Sequence, residues 1–165
     1  MMEKTKVRSM RFDARGFTLV ELMVTLSIAA LLLTLAVPSF TEMLANNRMI
    51  TNVNQFVVAM NFARSEAIKR NAAIDVTANG GDWKNGWTIT VTSDGTVLNT
   101  FEALAGNVSF TSAGSHTTFQ YQASGRLTPA AGDSLTLCDD RTGETGRRIT
   151  LTNTGRVTTA NNVCA

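Results

Sequence analysis

Histidine, cysteine, proline and tyrosine are scarce in this chain of 165 residues, which has one histidine, two cysteines, two prolines and one tyrosine. A lone histidine, His116, gives no support to a Ser-His-Asp set, and no spacing of ligands suits a metal ion. The sequence also lacks a glycine-rich phosphate loop. The acidic pair Asp139 and Asp140 is typical of a turn, with a calcium site as the alternative. We therefore expect no enzymatic activity, no metal and no cofactor.

Charged residues make up only 17% of the chain and are unevenly placed. Between Gly16 and Pro38 the only formal charge is Glu21. Residues 1–16 hold five basic side chains against two acidic ones, so the rest of the chain keeps ten basic and eleven acidic side chains. The net charge of +2 therefore comes from residues 1–16. It indicates membrane topology and gives little support to a nucleic-acid partner.

Residues 17–37 form one apolar segment of 21 residues. As a helix it would measure about 31 Å, which matches the hydrocarbon core of a bilayer. Because the basic residues precede it, we expect a single pass with the amino terminus in the cytoplasm and the head in the periplasm. A secretory signal peptide is the alternative, but the run is too long and no small-x-small cleavage site closes it. Arg15-Gly16 instead offers a cleavage point that would leave the helix attached.

Glu21 is a carboxylate inside this apolar segment. Such a group costs several kcal/mol in a bilayer unless it is paired or neutralised, which makes it a functional candidate. Cleavage after Gly16 would create an α-amino group on Phe17, one helical turn away. That amino group would supply the opposite charge, from the same subunit or from a neighbour.

After Pro38, which lacks an N–H group and is expected to kink the helix, the pattern becomes amphipathic over residues 38–71. Apolar residues recur in steps of three and four, as on one face of a helix: Met49, Val53, Phe56, Met60, Ala63 and Ala67. We expect this stripe to pack on the rest of the protein, with a methionine-lined ligand groove as the alternative. The helix is predicted to end near Asn71, a residue that tolerates the left-handed conformation.

From residue 72 to residue 165 the period changes towards two, which predicts a β-rich head. Strands are predicted at residues 74–77, 87–92, 96–101, 108–111, 117–122, 134–138, 148–152 and 156–158. Turn residues separate several of them, and the clearest hairpin turns at Asp94-Gly95. A helix followed only by strands favours an α+β fold, with antiparallel sheet packed on the helical stripe.

Two further features concern the head. Cys138 and Cys164 are predicted to form a disulfide, since an exported domain with two cysteines and no adjacent histidine has no obvious metal set; two unpaired buried thiols are the alternative. The bridge would close a loop of about 25 residues and contribute roughly 3–4 kcal/mol. The sequence also repeats Gly-Arg, at Gly125-Arg126 and at Gly155-Arg156, each between strand-like runs. A duplicated hairpin edge is the favoured interpretation, and a duplicated ligand site is the alternative.

Residues 15–21, with sequence RGFTLVE, resemble the processing motif of type IV pilins and type II secretion pseudopilins. The resemblance implies that a prepilin peptidase cleaves between Gly16 and Phe17 and methylates the new amino group of Phe17. It also implies that Glu21 sets the register of the subunit in the assembly, and that Pro38 is the kinking proline of many pilins. Residues 63–71, ARSEAIKRN, resemble the signature of the GspH/FimT family of minor pilins and minor pseudopilins. A long helix with two small sheets is the fold this implies.

The function implied by the resemblance is that of a minor type IV pilin of the FimT/FimU kind. It would help to initiate pilus assembly and lie at or near the tip, supporting twitching motility, adhesion or DNA uptake. Its partners would be other minor and major pilins, the peptidase and the inner membrane, from which it would pass to a pilus at the cell surface. A GspH-like minor pseudopilin of a type II secretion system is the alternative.

DNA binding in natural transformation is a second alternative. Some FimT-like proteins bind DNA through a C-terminal Gly-Arg-x-Arg element, whereas this chain has Gly-Arg-Val-Thr at residues 155–158. In this alternative the disulfide would confine four arginines so that they converge on DNA: Arg141, Arg147, Arg148 and Arg156. The acidic residues Asp139, Asp140 and Glu144 in the same region oppose this interpretation.

Overall fold

The structure is a computed structural model that describes residues 16–129, 131–141 and 143–164. Of the predicted leader, residues 1–16, the part up to Arg15 lies outside the described residues. The chain divides into two compact units, Met1–Thr41 and Glu42–Ala165. Every buried side chain of the described residues belongs to the second unit. That unit therefore contains its own hydrophobic core, and we refer to it as the head unit.

One helix, α1, runs from Leu19 to Arg70 over 52 residues. Its end follows from Asn71, whose φ of 51° lies in the left-handed region, as predicted. The amide of Asn71 donates to the carbonyl of Ile68, and the amide of Ala72 donates to the carbonyl of Ala67. These two bonds satisfy carbonyl groups that the helix leaves without partners, in the pattern of a Schellman motif.

The predicted apolar stripe of α1 is confirmed. All six of its residues are buried, with Met49 and Val53 near the start of the buried stretch and Ala67 near its end. Asn52 is also buried, and its side-chain amide donates to the carbonyl of Ala105 at 3.1 Å. The stripe therefore forms the helical part of the core.

The nine strands of the described residues form two antiparallel sheets. The first sheet has the order β3-β2-β1-β5-β6 and the second has the order β4-β7-β8-β9. Their bounds are β1 Ile74–Ala78, β2 Trp87–Val91, β3 Val97–Phe101, β4 Val108–Ser112, β5 Thr118–Tyr121, β6 Leu127–Thr128, β7 Asp133–Asp139, β8 Gly143–Leu151 and β9 Val157–Cys164. Two short 3₁₀ turns, Asn79–Gly81 and Trp83–Asn85, connect β1 to β2.

Phe56 joins the helix to both sheets. Its ring makes edge-to-face contacts with Trp87 of β2 at 5.2 Å and with Phe110 of β4 at 5.1 Å. A third edge contact, at 5.4 Å, is to Trp83. Aromatic pairs at these separations add roughly 0.5–1.5 kcal/mol each beyond their buried area. The α+β architecture predicted from the sequence is therefore confirmed, with this aromatic cluster where its three layers meet.

The sequence prediction was wrong in omitting β6 and in the bounds of the last two strands. Strand β6 was not predicted, and β8 and β9 extend well beyond the predicted 148–152 and 156–158. These two strands pair from Leu151 opposite Val157 to Gly143 opposite Cys164, with an irregularity between Gly143 and Gly146. The outer half of this hairpin is polar, and apolar and polar residues do not alternate there, so the sequence carries no strand signal. The two strands form because they pair with each other.

Candidate processing and assembly sites

The helix begins directly after the predicted cleavage point. Gly16, Phe17 and Thr18 precede α1, and Phe17 is 75% exposed. The hydroxyl of Thr18 accepts a hydrogen bond from the amide of Glu21 at 3.2 Å. This is one half of a capping box, in which a Thr and a Glu three residues apart define the start of a helix. The sequence Thr-Leu-Val-Glu at residues 18–21 carries the signal for this start, which lies two residues after the start of the predicted apolar segment.

The first part of α1 is apolar and exposed. It is long and apolar enough to cross a membrane, by length and composition. Large apolar side chains are exposed along its whole length: Phe17, Leu19, Val20, Leu22, Met23, Val24, Leu26, Ile28, Leu31, Leu32, Leu33, Val37, Phe40, Met43 and Leu44. A surface of this kind needs a lipid or protein partner. Glu21 lies among these side chains, four residues after Phe17.

Pro38 lies inside α1. Since proline has no N–H group, the carbonyl four residues before it loses its usual donor. The hydroxyl of Thr41 donates to the carbonyl of Pro38 at 2.8 Å, a local bond that often accompanies bending of a helix. A kink at Pro38 stays a prediction.

The predicted disulfide is present between Cys138 at the end of β7 and Cys164 at the end of β9. It passes over β8 at Gly146, because a Cβ atom at Gly146 would lie 2.3 Å from the sulfur of Cys164 and 3.1 Å from that of Cys138. Gly146 is therefore required by the bridge. No local pattern indicates this role, since the pairing of β8 with β7 and β9 places Gly146 under the bridge.

The four candidate DNA contacts do not share one face. Arg141 is bonded to Asp139, with 2.8 Å between Nε and Oδ2, and to Asn46 of α1 at 3.0 Å. Arg147 and Arg148 are consecutive in β8, so their side chains leave opposite faces of the sheet. Arg156 follows the turn at the other end of the β8–β9 hairpin.

Two turns of the head repeat one hydrogen-bond pattern, and we name them the tandem Gly-Arg turns (residues 122–126 and 152–156). The first residue of each donates to the carbonyl of the arginine, at 2.9 Å in the first turn and 3.0 Å in the second. In both, the glycine lies in the left-handed region, with φ of 75° at Gly125 and 78° at Gly155. The two turns also touch, since the amide of Leu127 donates to the carbonyl of Asn153 at 3.0 Å. The Gly-Arg repeat is thus a duplicated hairpin edge.

Arg64 of α1 holds the second turn. It donates to the carbonyl oxygens of Thr154 at 2.9 Å and of Gly155 at 3.3 Å. The buried hydroxyl of Tyr121 donates to the carbonyl of Gly155 at 3.2 Å. Burial raises the pKa of Tyr121 to about 12, so this hydroxyl keeps its proton at physiological pH. Arg64 and Thr154 are separated by 90 residues, so no local pattern in the sequence indicates this contact.

Glu66 lies four residues before the end of α1. It is buried, and its carboxylate accepts from Arg70 at 2.5 Å and from Lys69 at 3.4 Å. The hydrogen bond from Arg70 holds the pKa of Glu66 below its usual value. The basic residues at the end of α1 are thereby paired within the chain.

Ser112, His116 and Asp133 lie together but do not form a catalytic triad. Both the hydroxyl of Ser112 and Nδ1 of His116 bond to Oδ2 of Asp133, so the serine has no base to activate it. Burial opposes ionisation of Asp133, yet hydrogen bonds from Ser112, His116 and two backbone amides outweigh it and hold the pKa of Asp133 below its usual value. The cluster therefore fixes a loop.

The tandem turns give a stability prediction. A Cβ atom at Gly155 would lie 2.2 Å from the carbonyl oxygen of Gly125, whereas one at Gly95 meets nothing within 4 Å. Both glycines have positive φ, so alanine at either position is strained. We expect Gly155→Ala to lower the free energy of unfolding by about 3 kcal/mol or more, and Gly95→Ala by about 1 kcal/mol. Urea unfolding of the head unit followed by circular dichroism measures both; equal losses would contradict the packing of the turns.

A prepilin-type start, an exposed apolar helix and a two-sheet head define the class of this protein as a pilin or pseudopilin. Two family models agree: residues 11–37 match the prokaryotic N-terminal methylation motif, and residues 52–155 match type II transport protein GspH. The chain belongs to the GspH family, which comprises minor pilins and pseudopilins. Members of this family are structural subunits, and this protein is accordingly not an enzyme. Among curated protein sequences, none matches the chain.

Solved structures share the fold. The type IV minor pilin FimU of Pseudomonas aeruginosa is 22% identical, with a TM-score of 0.63 over 69% of this chain and 89% of FimU. A second crystal form of FimU gives 21% identity and a TM-score of 0.59, over 67% of this chain and 90% of FimU. The minor pseudopilin EpsH of the Vibrio cholerae type 2 secretion system is 12% identical, with a TM-score of 0.52 over 69% of this chain and 97% of EpsH.

Proposed function

We propose that this protein is a minor subunit of a type IV pilus that helps to initiate assembly and lies at or near the tip. The observation that carries the proposal is the similarity of the head to FimU, with a TM-score of 0.63 against 0.52 for EpsH. The methylation motif at residues 11–37 supports an assembly subunit matured by a prepilin peptidase. Twitching motility, adhesion or DNA uptake would be the processes that such a pilus serves.

The proposed maturation follows from the chain's first forty residues. The peptidase would cut after Gly16 and methylate Phe17, leaving residues 17–37 in the inner membrane and the head in the periplasm. Assembly would then exchange lipid for the helices of other minor and major pilins, because the same apolar side chains are exposed in the single chain. Such an exchange needs little free energy, since lipid tails and apolar side chains are similar environments.

A minor pseudopilin of a type II secretion system is the competing proposal, supported by the GspH family match and by the likeness to EpsH. Deleting the gene separates the two roles. We expect the deletion strain to lose surface pili and twitching, while secretion of folded exoproteins into the medium is unchanged. Complementation with the native chain is the control. Normal twitching combined with a loss of exoprotein secretion would assign the protein to the secretion system.

DNA contact by Arg141, Arg147, Arg148 and Arg156 has less support. Arg141 is already bonded to Asp139, and Arg147 and Arg148 leave opposite faces of β8. Affinity for duplex DNA depends on several phosphate contacts made from one surface. We therefore do not include DNA among the partners of these four residues.

A further inference from the structure

Three arginines lie in or against the tandem Gly-Arg turns, and none of them pairs with a carboxylate of the described residues. Arg64 donates only to the carbonyl oxygens of Thr154 and Gly155. Arg126 and Arg156 are exposed, each directly after the glycine of one turn, and neither forms an ion pair with any described residue. A cluster of like charges is unfavourable in the isolated chain and becomes favourable when an anionic surface covers it.

The nearby cations, by contrast, have a carboxylate partner. Lys69 and Arg70 are both paired with Glu66. The pKa of Asp94 is held below its usual value chiefly by hydrogen bonds from Thr96, and the charge of Arg70 adds to that effect. The end of α1 is thus close to neutral. Around the end of α1, the charge that has no carboxylate partner among the described residues therefore lies on Arg64 and the two turn arginines.

An exposed apolar side chain lies within this cluster. Ile68 is 54% exposed, and a Cβ atom at Gly125 would lie 3.0 Å from its Cδ1 atom and 3.2 Å from Nε of Arg64. Interfaces between proteins are enriched in arginine around apolar anchors. Nucleic acid offers no apolar counterpart to an isoleucine on its phosphate backbone. The composition therefore favours a protein partner.

We propose that Arg64, Ile68, Arg126 and Arg156, the Gly-Arg surface, bind a carboxylate-bearing face of another subunit in the same assembly. The partner would present Asp or Glu side chains to the two exposed arginines, around an apolar contact with Ile68. Arg64 acts as a positioning residue, because it holds the turn that presents Arg156. The inference rests on the proposed function, since it requires an assembly with other subunits.

Zero-length carbodiimide coupling in cells that assemble the full chain tests the contact. The reagent joins an amine to a carboxylate only when the two touch, and arginine has no such amine. The substitutions Arg126→Lys and Arg156→Lys therefore place reactive amines on the surface. We expect cross-links from positions 126 and 156 to an Asp or Glu of another pilin-type subunit, mapped by mass spectrometry. The matched control is Arg148→Lys, an exposed arginine on β8 outside the surface. Its cross-links should be about tenfold fewer.

Charge reversal in the same cells gives the second measurement. We expect Arg126→Glu with Arg156→Glu to reduce incorporation into the assembled fraction about tenfold, the equivalent of 1.4 kcal/mol, while Arg148→Glu leaves it unchanged. Leader cleavage, thermal stability and the disulfide should be the same in the double variant as in the native chain, since neither turn arginine side chain is bonded to a described residue. Normal incorporation of the double variant, or equal cross-linking at position 148, would overturn the inference.

Two other results are decisive. Retardation of a short DNA duplex by the head unit at about 10 μM and low salt, abolished by the double reversal, would make the surface a nucleic-acid site and overturn the protein partner. Absence of the native chain from every assembled fraction would overturn the proposed function and the inference with it. If the native chain is assembled but the double variant shows no loss of incorporation, the inference fails and the proposed function stands.

Discussion

Replacing Gly16 with leucine is expected to leave the protein as an uncleaved, membrane-held precursor, sixteen residues longer than the mature chain. The cause would be steric, since a peptidase that accepts glycine at this position has no room for a branched side chain. The substitution should not disturb folding, because a Cβ atom at Gly16 meets nothing within 4 Å. Immunoblotting of membranes, with the amino terminus sequenced, measures the ratio of precursor to mature chain.

The control for Gly16→Leu is a variant at an equally exposed position that lies after the cleavage point. Leu19→Ile keeps an apolar side chain at the start of α1, where Leu19 is 73% exposed. It should be processed like the native chain. Mature protein of normal size from Gly16→Leu would refute the assignment of Gly16 and Phe17 as the cleavage pair.

Replacing Glu21 with alanine is expected to preserve insertion and cleavage but to reduce incorporation into the assembly by about tenfold or more. Removing a carboxylate from an apolar segment makes insertion more favourable. In the assembly the same change would remove the proposed partner of the terminal amino group of Phe17, and a buried cation without its partner is strongly destabilising. Comparing the assembled fraction with the membrane fraction measures the loss.

Two variants separate charge from helix capping at this position. Glu21→Gln keeps a side chain of the same shape at the start of α1 but lacks the charge, so it should assemble as poorly as alanine. Glu42→Ala removes an acidic residue of the same helix outside residues 17–37 and should assemble normally. If Glu21→Gln assembles like the native chain, the charge-pairing account fails and a capping role is sufficient.

Elements controlled by local chemistry were predictable from the sequence. The stripe from Met49 to Ala67 was predicted from its spacing alone, and every member is buried. The helix end was predicted because Asn71 is suited to the positive φ that it adopts. The disulfide required only the count of cysteines and the export of the head. In each case the information lies within a few residues or in a single pair.

Features that depend on distant pairing were not predictable. Gly146 is required only because the disulfide crosses β8 at that residue, and this crossing follows from the order of β7, β8 and β9. Arg64 is separated by 90 residues from Thr154, whose carbonyl it binds. The Gly-Arg surface arises in the same way, because no local pattern indicates that turns thirty residues apart in sequence will touch.

The aromatic cluster gives the head an intrinsic fluorescent probe of its folding. The chain has two tryptophans, both are buried, and both contact Phe56 of α1. Their emission should therefore report separation of the helix from the sheets, with no added fluorophore. The residues from 17 to 37 contain no tryptophan, so detergent or lipid around them contributes no signal of its own. Unfolding of the head can thus be followed optically in the full chain held in detergent or lipid.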